Sequence, residues 1–151
     1  MDAATRAIGL CEDLAAHDVQ RRNIGPLAAH VRGTLLPAAR SVASHPTPSV
    51  AIVTGFFLIH GEPPNCETDG PPGAAHLAAG LAAAGIPCRL ATDVFSADVV
   101  KSAASGAGIE PIVPVDVVAA NDGDDGLPID RVRERGQGGP TPVSHVISLE
   151  R

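Results

Sequence analysis

The sequence has no tryptophan, no tyrosine and only three phenylalanines in 151 residues. Its core must therefore come from Ala, Val, Leu and Ile. Such residues let elements approach closely but bury less apolar area each, so stability is expected to lean on a partner or on further chain. Cysteine is scarce as well. Cys11, Cys66 and Cys88 stand far apart, which excludes a disulfide scaffold and a zinc site of the Cys-x-x-Cys type and points to a reducing, cytoplasmic setting. The formal net charge is -6 without any long Lys/Arg run, so there is no electrostatic footprint for nucleic acid. Long apolar runs are missing too, the longest being about ten residues where a membrane-spanning helix needs about 20. The first residues carry no basic stretch followed by an apolar segment, which is the mark of a secretory leader. What is left reads as a single domain over residues 1–151, long enough to bury a core and without internal repeats.

The stretch from Val50 to Gly85 organises the rest. It opens with the apolar run Val50-Ala-Ile-Val-Thr-Gly-Phe-Phe-Leu-Ile, continues through a loop holding Glu62, Glu67 and Asp69, and ends in the alanine-rich segment Ala74 to Gly85. That order reads as a buried strand, a polar loop at its carboxyl end and a helix packed back on the sheet. In open α/β folds this crest is where ligands bind. Upstream, residues 1–45 form a helical lead-in. Asp2 caps a surface helix reaching Ala16, Gly25-Pro26 opens a second helical stretch, Gly33 interrupts it, and Ser44 to Ser49 stops it. The adjacent Arg21 and Arg22 read as a solvated helix end rather than an anion grip.

Strand one covers Val50 to Val53 and is expected to run on toward Ile59. The helix then starts at Pro72 and ends ahead of Gly85. A second strand runs from Ile86 to Asp93, and a short helix capped by Ser96 or Asp98 reaches Ala104. Glu110 to Val118 forms a third strand whose prolines argue for an edge position or interrupted pairing. Residues 120–142, rich in glycine and charge, read as a flexible loop, and His145 to Leu149 as the last strand. These alternations give an α/β fold with a mostly parallel sheet and flanking helices in three layers. A strand without a covering helix marks it as incomplete at the C-terminus.

Glu67 and Asp69, two apart in an irregular segment, can turn toward one point. A hard divalent cation such as Mg²⁺ or Mn²⁺ asks this of its oxygen ligands, and Asp93 on the same crest is the third candidate. The same pair suits acid/base chemistry, because neighbouring carboxylates push their proton affinities apart. A structural reading stands beside these: Asp69 can simply cap the helix behind it. Thr54-Gly55 falls where the strand ends, and a glycine there allows close approach of backbone. Gly73, Ala74 and Ala75 offer amides to a carboxylate, but Gly70-Pro-Pro-Gly73 has no following lysine and is not a phosphate loop. His60 and His76 bracket the loop as surface histidines, and Cys66 lacks a histidine partner that would make it a nucleophile. Asp122, Asp124 and Asp125 start like a calcium loop, yet Arg133 stands where its closing glutamate belongs.

Four strings together, Val50-Ala-Ile-Val-Thr-Gly-Phe, Glu67-Thr-Asp-Gly-Pro-Pro-Gly-Ala, the strand entered at Gly85 and ending at Thr92-Asp93, and His145-Val-Ile-Ser-Leu-Glu-Arg, resemble the D-glutamate cyclase-like C-terminal domain family. The resemblance runs from about Arg22 to Arg151 and covers the amino-terminal half of a family domain. A later Gly-Asp-Gly-Gly-Asn-Glu-like loop has no counterpart. It implies a lyase that cyclises D-glutamate, or a related acid, to 5-oxo-D-proline and water. It further implies Glu67 and Asp69 as acid/base groups or metal ligands and Thr54 and Gly55 as the pocket floor. Gly70 and Gly73 would form a carboxylate clamp, and Arg151, after Glu150, would pair a substrate carboxylate. A homo-oligomer or a missing C-terminal half would complete the site, with neither nucleic acid nor membrane as a partner. Two other classes stay open: a non-catalytic, truncated module for a small anion or metal, and a metal-dependent hydrolase.

Overall fold

The computed structural model describes residues 2–18, 23–118 and 142–150. The chain divides into two compact units, Met1–His45 and Pro46–Arg151. The expected loop at 120–142 and the Arg21-Arg22 pair lie almost wholly outside the described residues. Among the described residues no helix is long and apolar enough to cross a membrane.

The first unit holds three short helices, α1 (Ala3–Ala15), α2 (Gly25–Val31) and α3 (Leu35–Ala43). Asp2 caps α1 as its position suggests, its carboxylate accepting from the Thr5 amide at 2.8 Å and the Thr5 hydroxyl at 2.9 Å. Those bonds, the amide first, hold the Asp2 carboxyl below its usual range. Thr34 makes no side-chain cap on α3. Glu12 of α1 does the capping instead, accepting from the Leu35 amide at 2.8 Å and the Gly33 amide at 3.1 Å. Arg32 is ion-paired with Asp13. No side chain of these helices is fully buried.

Among the described residues the second unit is built on four parallel strands: β1 (Val50–Thr54), β4 (Cys88–Asp93), β5 (Val115–Val118) and β6 (His145–Leu149). Between β1 and the next helix lies a small antiparallel hairpin, β2 (Phe57–Leu58) with β3 (Asn65–Cys66). The sheet order is β5-β4-β1-β6. Helices α4 (Gly70–Ala83) and α5 (Ala97–Gly106) link β1 to β4 and β4 to β5. Both links step the same way along the sheet, so right-handed crossovers lay both helices on one face, where they touch each other.

That face is packed with small residues. Ala74, Ala75 and Ala78 of α4 are fully buried, as are Val50, Ile52 and Leu90 below them. The Cys88 thiol reaches the Ala78 carbonyl at 3.5 Å, a spacing between strand and helix that only small side chains permit. Burial there pushes the Cys88 thiol up from its ordinary value. The opposite face carries a buried cluster of Ala51, Val53 and Ala91, with Val143 and Val146 packed against it.

Both helices stop by the same device. In α4 the Ile86 amide donates to Leu81 at 2.9 Å and the Gly85 amide to Ala82 at 3.0 Å, with Gly85 at φ +74°. In α5 Ile109 donates to Ala104 at 3.1 Å and Gly108 to Ser105 at 2.9 Å, with Gly108 at φ +69°. This double bond to the last carbonyls needs a left-handed residue, which glycine adopts without a Cβ clash.

Strand β4 starts at Cys88 rather than Ile86 and α5 reaches Gly106 rather than Ala104, and three further boundaries differ from the sequence reading for a plain backbone reason. Strand β1 ends at Thr54 instead of running toward Ile59, because Gly55 at φ +105° turns the chain into the hairpin. Helix α4 begins at Gly70, two residues before Pro72: Pro71 and Pro72 fit a first turn, where an amide hydrogen has no helical partner to lose. Strand β5 starts only at Val115, past Pro111 and Pro114, and lies at the sheet edge as its prolines require.

A Cβ at Gly55 would meet the Ser96 Cβ at 2.6 Å and the Thr92 Oγ1 at 2.7 Å. Gly55→Ala therefore combines backbone strain with overpacking and is expected to cost about 2 to 4 kcal/mol in urea unfolding. Gly80→Ala, mid-helix in α4 with nothing within 4 Å, is expected to add about 0.5 to 1 kcal/mol.

Candidate functional site

Counted along the chain, the four parallel strands stand in the order third, second, first, fourth. The direction of winding reverses between β1 and β6, and the carboxyl ends of those two strands flank the crevice where open α/β sheets bind ligands. The register sets Thr54 of β1 opposite Leu149 of β6, so Glu150 leaves the sheet beside Thr54. Helix α4 begins at the same place: a Cβ on Gly70 would lie 2.5 Å from the Glu150 Cβ and 3.0 Å from the Thr54 Oγ1. Only glycine lets the start of the helix, the end of β1 and the stem of Glu150 meet this closely.

Three carboxylates gather there. Glu67, Asp69 and Glu150 each offer an oxygen within 4.8 Å of the others. The hairpin brings in the first of them, for β3 ends at Cys66 and the Glu67 amide donates to the Phe56 carbonyl at 2.8 Å. Asp69 is also the N-cap of α4, one oxygen accepting from the Gly70 amide at 3.2 Å. The capping and clustering readings of Asp69 are thus compatible, since a carboxylate has two oxygens. Neither Glu67 nor Asp69 is ion-paired with another described residue. Like charges at this spacing repel by about 1 kcal/mol in water and about 3 at a protein surface, so the arrangement favours a positively charged occupant.

Asp93 plays a different part from the one its place on the crest suggested. The third acid is Glu150, whereas Asp93 Oδ1 accepts from the Phe95 and Ser96 amides, each at 2.9 Å. It holds the turn that leads into α5, whose N-cap Ser96 makes no side-chain cap bond. The carboxylate clamp expected at Gly73 is also missing. Pro71 and Pro72 have no amide hydrogens, and the Gly73 amide donates to the Asp69 carbonyl at 3.2 Å. The helix start thus offers few donors to an anion. Arg151 lies outside the described residues.

Three hydroxyls at this crest are buried and without a partner among the described residues: Thr54 Oγ1, Thr92 Oγ1 and Ser96 Oγ. Each such group costs about 1 to 3 kcal/mol if nothing pairs with it. Thr92 and Ser96 crowd Gly55, while Thr54 faces Gly70 and Glu150. Sequence reasoning named Thr54, took Ser96 only as a candidate helix cap and gave Thr92 no role. Their signal was a pair of hydroxyls at and just past the carboxyl end of one apolar strand, next to Thr54 at the end of its neighbour. His60 and His76 are exposed, His76 with its Nδ1 2.8 Å from the Pro72 carbonyl. Cys66 is buried with its thiol donating to the Glu67 carbonyl at 3.1 Å, which suits a structural thiol rather than a nucleophile.

Comparison with known proteins gives one result. The sequence model of a family described as D-glutamate cyclase-like, C-terminal, matches residues 11–151. Curated proteins and solved structures give no match.

The turn held by Asp93 is testable apart from any ligand. Asp93→Ala removes the acceptor of two amides and is expected to lower the unfolding free energy by about 1 to 2 kcal/mol. Glu67→Gln, an isosteric change at a half-buried acid that caps no helix, is expected to leave it within about 0.5 kcal/mol. Urea melts followed by circular dichroism read both.

Proposed function

This chain belongs to the D-glutamate cyclase-like C-terminal family, and from that premise we propose that it acts as a lyase closing D-glutamate, or a closely related amino acid, to 5-oxo-D-proline with loss of water. The observation that supports the reading is the meeting of Glu67, Asp69 and Glu150 at the winding reversal of the sheet, beside the unpartnered Thr54 hydroxyl.

The chemistry asks for such a cluster. The substrate amine is an ammonium at neutral pH and attacks only after losing a proton. A group of carboxylates attracts the ammonium and then accepts that proton. Glu67 is assigned the role of general base, because it is half-buried and, unlike Asp69, is not tied to the helix start. The neutral nitrogen then attacks the γ-carboxyl carbon, forming the ring C–N bond. The two protons shed by nitrogen end on the departing oxygen, which leaves as water, so atoms and charge balance: ammonium plus carboxylate gives amide plus water. Holding the amine against the carboxyl carbon replaces a random search by a bound geometry. Thr54 and Gly55 form the floor, Gly70 keeps the entrance open, and Arg151, next to Glu150 in the chain, is the partner offered to a substrate carboxylate.

The experiment is to incubate the full chain with D-glutamate, with Mg²⁺ and Mn²⁺ present, and assay 5-oxoproline by chiral chromatography. The expected result is 5-oxo-D-proline from D-glutamate, with Glu67→Gln lowering kcat by about a hundredfold or more. A folded wild-type chain giving no product from D-glutamate would overturn the assignment.

A further inference from the structure

We propose that the crevice takes glutamate whose γ-carboxyl is masked as the amide of an apolar amine, closing it to 5-oxoproline and releasing that amine, with Phe56 and Leu58 as the seat of the leaving group. The inference rests on the ring-closing reading above and names the substrate class that this reading leaves open.

Two observations carry it, one of shape and one of charge. The hairpin register sets Phe57 opposite Cys66 and Leu58 opposite Asn65, and one step further on the Glu67 amide donates to the Phe56 carbonyl at 2.8 Å. Residues opposite one another across an antiparallel pair share a face, and successive residues alternate. Phe56, Leu58 and Glu67 therefore lie on one side of the hairpin, with Phe57 and Cys66 on the other. Burial agrees with this division. Cys66 is buried and the Phe57 ring stands 5.4 Å from that of Phe95, whereas Phe56 is 45% and Leu58 40% exposed. Two large apolar side chains are thus open to solvent on the side that presents the general base, and an apolar group bound there leaves water together with them.

The charge argument concerns the other end of the substrate. Free D-glutamate brings two carboxylates to a place that already holds three. Neither Glu67 nor Asp69 is in a salt bridge with a described residue. The start of α4 has few amides to spare, because Pro71 and Pro72 have no amide hydrogen and the Gly70 and Gly73 amides serve Asp69. A γ-amide removes one of the two negative charges and keeps the ammonium that the acids attract. It also offers the attacking nitrogen a neutral carbonyl in place of a carboxylate.

The step balances. Glu67 takes a proton from the ammonium, the neutral nitrogen attacks the γ-carbonyl carbon to form the ring C–N bond, and the bond from that carbon to the departing nitrogen breaks, its electron pair leaving with the amine. The two protons lost by the ring nitrogen end on the amine, so the zwitterionic amide gives the 5-oxoproline carboxylate plus an alkylammonium ion.

The test compares D-glutamate, its γ-methylamide and its γ-benzylamide on the full chain, assaying 5-oxo-D-proline by chiral chromatography and, for the amides, the released amine. The benzylamide is expected to have a kcat/KM about tenfold or more above that of the methylamide, the gain from burying a ring that a methyl group lacks. Phe56→Ala and Leu58→Thr should each cut that ratio several-fold, Phe56→Leu should keep most of it, and Ile112→Ala, at an exposed apolar residue ahead of β5, should leave it unchanged. Circular dichroism melts show which variants keep the fold, and the wild-type ratio needs no variant. Equal kcat/KM for the two amides, no amine released from either, or an unchanged ratio in folded Phe56→Ala overturns the proposal. Turnover of D-glutamate with neither amide cyclised refutes only the amide reading, and cyclisation of the amides without turnover of D-glutamate refutes only the free acid as substrate.

Discussion

Parallel pairing of β6 alongside β1 is the constraint on which the rest of the second unit depends. It is pinned where the two strands enter the sheet. The Ser49 amide donates to the Ser144 hydroxyl at 2.8 Å, that hydroxyl donates to the Ser49 carbonyl at 2.9 Å, and the Ser144 amide reaches the same carbonyl at 2.9 Å. With both strands fixed at that end, the register runs from Val50 opposite His145 to Thr54 opposite Leu149. A slip of one residue would turn every β6 side chain to the other face and carry Glu150 away from Gly70. Two serines at the amino end of the sheet thereby decide what stands at its carboxyl end.

How much of this could be read from the chain depends on how local each cause is. Helix ends were legible because a glycine just past the last turn acts through its own φ, and Gly85 and Gly108 both behave so. The apolar strands, the edge position of β5 and the Asp2 cap follow from neighbours only a few residues away. Glu150 is the opposite case. It joins Glu67 and Asp69 through a pairing between segments 95 residues apart, and nothing in local composition says that the last strand lies beside the first. Asp93 was placed on the correct crest but given the wrong company: with Ser96 or Asp98 expected as the cap of α5, spacing alone does not tell that the Asp93 carboxylate turns to the Phe95 and Ser96 amides. The apolar run past Gly55 misled for a similar reason: hydrophobicity continued while the backbone turned.

The want of aromatic residues becomes intelligible at the same crest. An alanine face on α4 lets the helix sit close above Val50, Ile52 and Leu90, and that closeness draws the start of α4 down to the ends of β1 and β6. All three phenylalanines lie nearby in the chain order of the hairpin and the β4–α5 turn, where the Phe57 and Phe95 rings stand 5.4 Å apart. The large side chains thus brace the loops that carry the site, while the small ones set the depth of the crevice. Glycine at 55 and 70 completes the design, each occupying a point where another residue's side chain comes within 3 Å of a Cβ position.

The most direct test of this crevice is crystallographic. Crystals soaked with D-glutamate should show the ligand in this crevice, its nitrogen within about 3.2 Å of an oxygen of Glu67, Asp69 or Glu150. A map with the crevice empty, or with the ligand bound elsewhere, would contradict the account and leave the meeting of these three carboxylates without a function.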